Sequence, residues 1–382
     1  MIGIFRNKSG CRFLSRILNS PGFSFHVSSW RSLQNLAYED VRASSDKPYD
    51  STAFILHGLL GSGRNWRSFS RNLLSRLSNS SSTEWRLVLV DLRNHGRSAE
   101  SEGFDPPHDM VNAAKDLAKL VESQGWAWPD VVMGHSMGGK VALQFAQSCN
   151  RGDYGDSASL PKQHLMMELA MIILSRIIKV INCIFPSFLD AEQLWVLDSI
   201  PGNVDPENSD GEVEKVLKTL QGLPSSVPSR KWLVNHMIEL GFSRSLSEWI
   251  GSNLKKSGEH ETWSFNLEGA VQMFNSFRKM IRMKLLPFDL LLIDVVNLIR
   301  ETSYWSLLEH PPKDMEIAIV RAENSDRWSP EVVRQLERLS SKGLEDSKRQ
   351  VSVHVLPNSG HWVHVDNPKG LLDIVAPKFS SL

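Results

Sequence analysis

Ser136 stands in the stretch Val131-Val132-Met133-Gly134-His135-Ser136-Met137-Gly138-Gly139, an apolar run that feeds a Gly-x-Ser-x-Gly turn. From Lys140 to Gln147 apolar residues recur at helical spacing, so the expected context is strand, sharp turn, helix. A serine hydroxyl is a poor nucleophile at its free pKa. It becomes useful when a strained corner holds it near a base, with backbone N–H groups facing its oxygen. Gly134 and Gly138 leave room for that corner. The competing reading of the pentapeptide is an ordinary glycine-rich turn in a parallel sheet.

Acyl transfer by such a serine needs a base, an acid to orient the base, and donors for the oxyanion. Of the 12 histidines in the chain, His361 is the candidate base. It follows a strand-like run in Leu356-Pro357-Asn358-Ser359-Gly360-His361-Trp362 and completes the order Ser, Asp, His. The residues leave the acid open. Asp198 follows the strand after the nucleophile, and Asp326 follows the next, in Ala322-Glu323-Asn324-Ser325-Asp326. Either could instead cap a helix or carry surface charge. The backbone N–H groups of Met137 and Leu59 are the expected oxyanion donors. His57, Gly58, Leu60, His135 and Trp362 complete the residues expected around the substrate, with His57 also bracing its loop, His135 packing behind the turn, and His364 a packing or surface residue.

The elements that must position these groups alternate. Ala53-Phe54-Ile55-Leu56 reads as a buried strand ending in His57-Gly58-Leu59-Leu60-Gly61-Ser62-Gly63, with a helical pattern from Trp66 to Leu77. A phosphate cradle also starts this way, but no Gly-Lys-Ser/Thr or Gly-x-Gly-x-x-Gly completes one. Strands are expected at 36–41, 86–91, 194–197, 316–320 and 351–356, and helices at 110–123, 330–339 and 368–379. Alternation of this kind argues for a parallel sheet covered on both faces, an α/β fold. The segment 203–312 shows helices rather than strands, clearest at 213–220, 229–240 and 245–254, and reads as a cap over the carboxyl edge of the sheet.

Basic and acidic residues balance at 43 each over 382 residues, which suggests neither nucleic acid nor an anionic membrane surface as a partner. Cys11, Cys149 and Cys183 are widely spaced, arguing against a disulfide framework or a zinc site. No metal or organic cofactor is expected. Residues 1–35 hold several arginines and serines and no acidic residue, the composition of an organelle transit peptide, mitochondrial or chloroplast. The hydrolytic domain is expected at 36–382. Two atypical apolar inserts, 164–193 and 279–303, approach the length of a membrane span, but charges interrupt both, so no transmembrane span is expected.

Four motifs, His57-Gly58-Leu59-Leu60-Gly61, Asp91-Leu92-Arg93-Asn94-His95-Gly96-Arg97-Ser98, Gly134-His135-Ser136-Met137-Gly138-Gly139 and Pro357-Asn358-Ser359-Gly360-His361-Trp362, occur in order along the chain. Together they resemble the alpha/beta-hydrolase superfamily, and within it the group of alpha/beta-hydrolase domain-containing protein eleven and related bacterial esterases. The resemblance implies a mostly parallel sheet of about eight strands under a helical cap. It implies esterase, lipase or thioesterase-like activity on an acyl ester or lipid substrate, a mitochondrial address, and Asp198 as the acid. The inserts depart from the pattern. They motivate a rival reading as a slow or inactive ligand receptor or interaction protein; hydrolysis of an amide or carbon–carbon bond and cofactor-free peroxidase chemistry are further alternatives.

Overall fold

The structure is a computed structural model, and the described residues are 36–43, 48–100, 104–154, 192–202, 211–278, 304–312, 315–342 and 350–382. The expected leader at 1–35, residues 164–191 of the first insert and the whole second insert lie outside them. Gln193, expected to end the first insert, instead opens a strand.

The strands are β1 Tyr38–Arg42, β2 Ser51–Leu56, β3 Trp85–Val90, β4 Val131–His135, β5 Gln193–Leu197, then in the cap β6 Ser226–Val227, β7 Leu254–Ser257 and β8 His260–Trp263, and finally β9 Glu316–Ala322 and β10 Val351–Leu356. Helices α1 Arg67–Ser80, α2 Met110–Gln124 and α3 Met137–Arg151 follow β2, β3 and β4. The described cap helices are α4 Gly211–Gly222, α5 Arg230–Glu239, α6 Arg244–Ser252, α7 Leu267–Arg278 and α8 Trp305–Glu309. Helices α9 Pro330–Lys342, α10 Val363–Asp366 and α11 Pro368–Phe379 close the chain.

Seven strands form the main sheet in the order β1-β3-β2-β4-β5-β9-β10, all parallel except β1. Strands β2 to β5 are buried along their whole length, which is why they read as apolar runs rather than alternations. Alternate residues nevertheless go to opposite faces. Ala53, Ile55, Leu87 and Leu89 pack with Phe69 and Leu73 of α1 and Val375 and Phe379 of α11. Phe54, Leu56, Val88 and Val90 pack with Leu117 and Val121 of α2 and Val141 and Phe145 of α3. Because β2, β4, β5, β9 and β10 run the same way, the residues leaving their carboxyl ends gather on one edge, where open parallel sheets build their sites.

The cap is not purely helical. Strands β6, β8 and β7 form a small antiparallel sheet. The helix expected over 245–254 ends at Ser252, and Leu254 pairs with Trp263 in a hairpin that turns at Gly258, φ 62°. The intervening Lys255-Lys256-Ser257-Gly258-Glu259-His260-Glu261-Thr262 offers no apolar helical face, and glycine takes the left-handed turn without steric cost. Among the described residues no helix is long and apolar enough to cross a membrane.

Candidate active site

Strand β4 ends at His135 and α3 begins at Met137, so the chain turns from strand to helix across Ser136 alone. Ser136 sits at φ 53° and ψ −119°, a conformation that costs an L-residue roughly 1–3 kcal/mol. Surrounding glycines make the corner possible. A Cβ on Gly134 would run into the Gly138 carbonyl, and one on Gly138 would lie 2.5 Å from the His57 carbonyl oxygen. The Ser136 N–H donates to the Leu197 carbonyl oxygen at 2.9 Å, tying the corner to the end of β5.

One residue further along that strand end lies Asp198, at φ 42° and almost fully buried. His361 Nδ1 is 2.7 Å from Asp198 Oδ2. The Ser325 hydroxyl donates to the same oxygen at 2.8 Å, while Trp328 Nε1–H and Ala322 N–H donate to Oδ1 at 2.6 and 3.0 Å. Burial by itself would raise the Asp198 carboxyl. The bond and charge of His361, with the Trp328 and Ala322 donors, outweigh it and hold the group below the ordinary carboxylate value. Asp198 therefore stays ionised and accepts from His361 Nδ1–H, which puts the imidazole's basic lone pair on Nε2.

Asp326, the other sequence candidate, does not share this role. It is exposed at the rim of the cleft and forms no hydrogen bond or ion pair with His361. The end of β9 and the loop after it instead supply donors, Ala322, Ser325 and Trp328, to the carboxylate just after β5. Sequence reading missed Ser325 and Trp328; the one available signal was a tryptophan in an otherwise polar loop.

His361 itself is placed from behind. His135 Nε2 lies 2.7 Å from the His361 carbonyl oxygen, and the two rings are 4.7 Å apart. Burial, with the nearby His361 and His364, holds the His135 imidazole well below its ordinary pKa, so it is neutral and donates to that carbonyl. His364 stacks on Trp66 at 4.2 Å, and burial pushes its pKa to about 3.

The loop after β2 presents backbone donors. Leu60 N–H donates to His95 Nε2 at 3.0 Å and Gly61 N–H to the Gly58 carbonyl oxygen at 3.1 Å. Among the described residues, the N–H groups of Leu59 and Met137 make no hydrogen bond. His57 is not at the cleft surface as expected of a substrate contact. It is buried, its Nδ1–H donates to the Gly58 carbonyl oxygen at 2.7 Å, and its Nε2 accepts from Leu92 N–H at 3.0 Å.

The cleft in front of these groups encloses about 950 Å³ counted to its open mouth, and Ser136, His361, Met137, Leu59, Gly58, Leu60, His135 and Trp362 all line it. Val213 and Val216 of α4, Leu246 and Trp249 of α6, and Phe274 and Phe277 of α7 form an apolar wall from the cap. Ser243, Asp326 and Arg327 give it a polar side. Lys140, in the first turn of α3, holds that wall. Its Nζ lies 2.8 Å from the Phe277 carbonyl oxygen, 2.9 Å from that of Gly202 and 4.3 Å from the Phe277 ring centre. Among the described residues no cluster of side chains could hold a metal ion.

The profile of the alpha/beta hydrolase family matches residues 53–374. The chain belongs to that family. Mouse (Mus musculus) "sn-1-specific diacylglycerol lipase ABHD11" is 24% identical over 324 residues, covering 84% of this chain and 78% of that protein. Among solved structures, a "marine microorganism esterase" superposes with a TM-score of 0.58 at 18% identity, covering 90% of this chain and 98% of that one. A thermophilic esterase from Thermogutta terrifontis gives a TM-score of 0.53 at 16% identity, covering 91% and 93%. The superpositions show a shared fold.

Proposed function

We propose that the chain is a serine hydrolase that cleaves carboxylic esters or thioesters, lipid acyl esters among them, through an acyl-serine intermediate. One observation carries the reading: a strained serine and an imidazole bonded to a buried, ionised carboxylate line the same cleft. Ser136 Oγ attacks the substrate carbonyl carbon while its proton passes to His361 Nε2. The oxyanion is bound by the N–H groups of Leu59 and Met137, a class of contact worth roughly 3–4 kcal/mol of barrier per donor. Collapse breaks the bond to the leaving alcohol or thiol, which takes the proton from His361. Water then attacks the acyl-serine by the same route, releasing the acid and restoring Ser136. Asp198 holds the imidazole in the tautomer that both halves need and stabilises the imidazolium formed in each. The apolar cap wall suits the acyl chain, and the lipase and esterase names of the relatives agree with an ester substrate.

A fluorophosphonate probe and a panel of acyl esters, thioesters and amides test this. The expected result is labelling and product release by the wild type and neither by Ser136→Ala. Labelling that persists in that variant, or release of amide products in preference to both ester classes, overturns the assignment.

A further inference from the structure

The Asp91-to-Ser98 motif is left unused by the mechanism above, yet it is buried against the loop that carries the Leu59 donor. Leu60 has φ 59°, a left-handed conformation that is unfavourable for a leucine, so the loop does not hold this shape by local preference. Its shape is imposed from outside. Leu60 N–H donates to His95 Nε2, and Gly63 N–H to Asp91 Oδ1 at 2.7 Å. The Gly58 carbonyl, which shares its peptide plane with the Leu59 N–H, is held by His57 Nδ1–H and by Gly61 N–H. With the Gly58 carbonyl fixed on one side and the Leu60 N–H on the other, the Leu59 peptide has a single orientation.

We infer that His95 is a positioning residue for hydrolysis: by accepting the Leu60 N–H it fixes the Leu59 N–H where the oxyanion forms. This rests on the serine-hydrolase reading of the site. Each ring nitrogen has one job. Nδ1–H donates to the Arg93 carbonyl oxygen at 2.8 Å, which leaves Nε2 as the acceptor. Burial and the neighbouring His57 push the His95 pKa to about 3, so the ring remains an acceptor at any pH where ester hydrolysis would be assayed. The motif is built around this ring. Its Gly96, φ 53°, is required because a Cβ there would strike the Asp91 carboxylate. The other side of the motif is held by the cap, through Asn266 N–H to the Asn94 carbonyl oxygen at 2.8 Å and a β-bridge between His95 and Phe265.

The side-chain geometry supplies a discriminating pair of variants. Gln places a carbonyl oxygen near the Nε2 position and restores an acceptor for Leu60, whereas Asn reaches only the Nδ1 position and leaves the Leu60 N–H without one. With p-nitrophenyl acetate as the probe, His95→Asn is expected to lower kcat by roughly 30-fold with KM within about 3-fold of wild type, since misplaced catalytic donors act on the transition state. His95→Gln is expected to recover most of that loss. His95→Met, which fills the space without an acceptor, should resemble Asn and stands in for it if Asn does not fold. Each variant is assayed at least about 10 °C below its own melting point, so that unfolding does not count as lost chemistry. Equal kcat in the Gln, Asn and Met variants would overturn the inference and leave the hydrolase reading intact. A wild type that neither turns over the ester nor reacts with a fluorophosphonate would sink that reading itself.

Discussion

The consequences of removing charge from Asp198 can be worked out atom by atom. In Asp198→Asn the amide oxygen replaces Oδ1 and keeps the Trp328 and Ala322 donors, both of which are N–H groups and cannot reverse. The amide NH₂ must then sit where Oδ2 was, facing the Ser325 hydroxyl and His361 Nδ1. Both can adapt: the hydroxyl rotates to accept, and the imidazole moves its proton to Nε2. The fold therefore loses only the charge-assisted share of these bonds, about 1–2 kcal/mol. Catalysis loses its base, because Nε2 now carries the proton it should remove from Ser136. The expected fall in kcat is about 10⁴, the size associated with a wrong imidazole tautomer. Asp198→Ala differs in kind, since it strands the Trp328 and Ala322 N–H groups in the interior at about 1–3 kcal/mol each. Steady-state kinetics on an ester paired with thermal melts separates the two effects. If Asp198→Asn kept more than about a tenth of wild-type kcat, or if Asp326→Asn lost as much activity, the assignment of the acid would be wrong.

Two further predictions rest on buried titratable groups. His57, His95 and His364 are held neutral by burial, with pKa values pushed from 6.5 to about 4, about 3 and about 3, and His135 lies well below its ordinary value too. Their folded-state values are depressed, so the unfolded chain binds the extra protons and stability falls as pH drops below 6.5, by up to about 1.4 kcal/mol per pH unit for each ring. A melting temperature that is flat between pH 6.5 and 5, above the carboxylate range, would refute this. Lys140→Met removes two charge-assisted bonds to backbone carbonyls while keeping most of the side-chain volume. Each such bond is worth roughly 1.5–3 kcal/mol. The melt is expected to drop by several degrees, and KM to rise more than kcat falls, because Phe277 is part of the cleft wall. A change in kcat alone would contradict that role.

Local chemistry made part of the site legible. Strands buried on both faces leave unbroken apolar runs, and a serine forced to φ 53° demands glycines where a Cβ would strike backbone, so Gly134, Ser136 and Gly138 announce themselves. The acid was not legible from residues alone. Asp198 and Asp326 both follow strands, and what separates them is the donor set contributed by Ala322, Ser325 and Trp328, contacts made across two strands far apart in sequence. The cap hairpin escaped for a different reason: its strands are polar and short, held by pairing across Gly258 and by Leu254 and Trp263 rather than by an apolar period.

The same distinction explains why His57 reads as a substrate contact and why His95 gives no signal of its own. A histidine in a glycine-rich loop at a sheet edge has the sequence appearance of a ligand contact, whereas here both rings are spent on backbone groups. His57 reaches from the loop after β2 to Leu92, and His95 reaches back from the loop after β3 to Leu60. Each loop thus carries the acceptor that the other one needs. Because Asn94 and His95 are also bonded to Asn266 and Phe265, which precede the helix bearing Phe274 and Phe277, the cap wall and the loop after β2 share one anchor. In the proposed mechanism, displacing the start of α7 would therefore disturb the Leu59 N–H as well as the apolar cap wall.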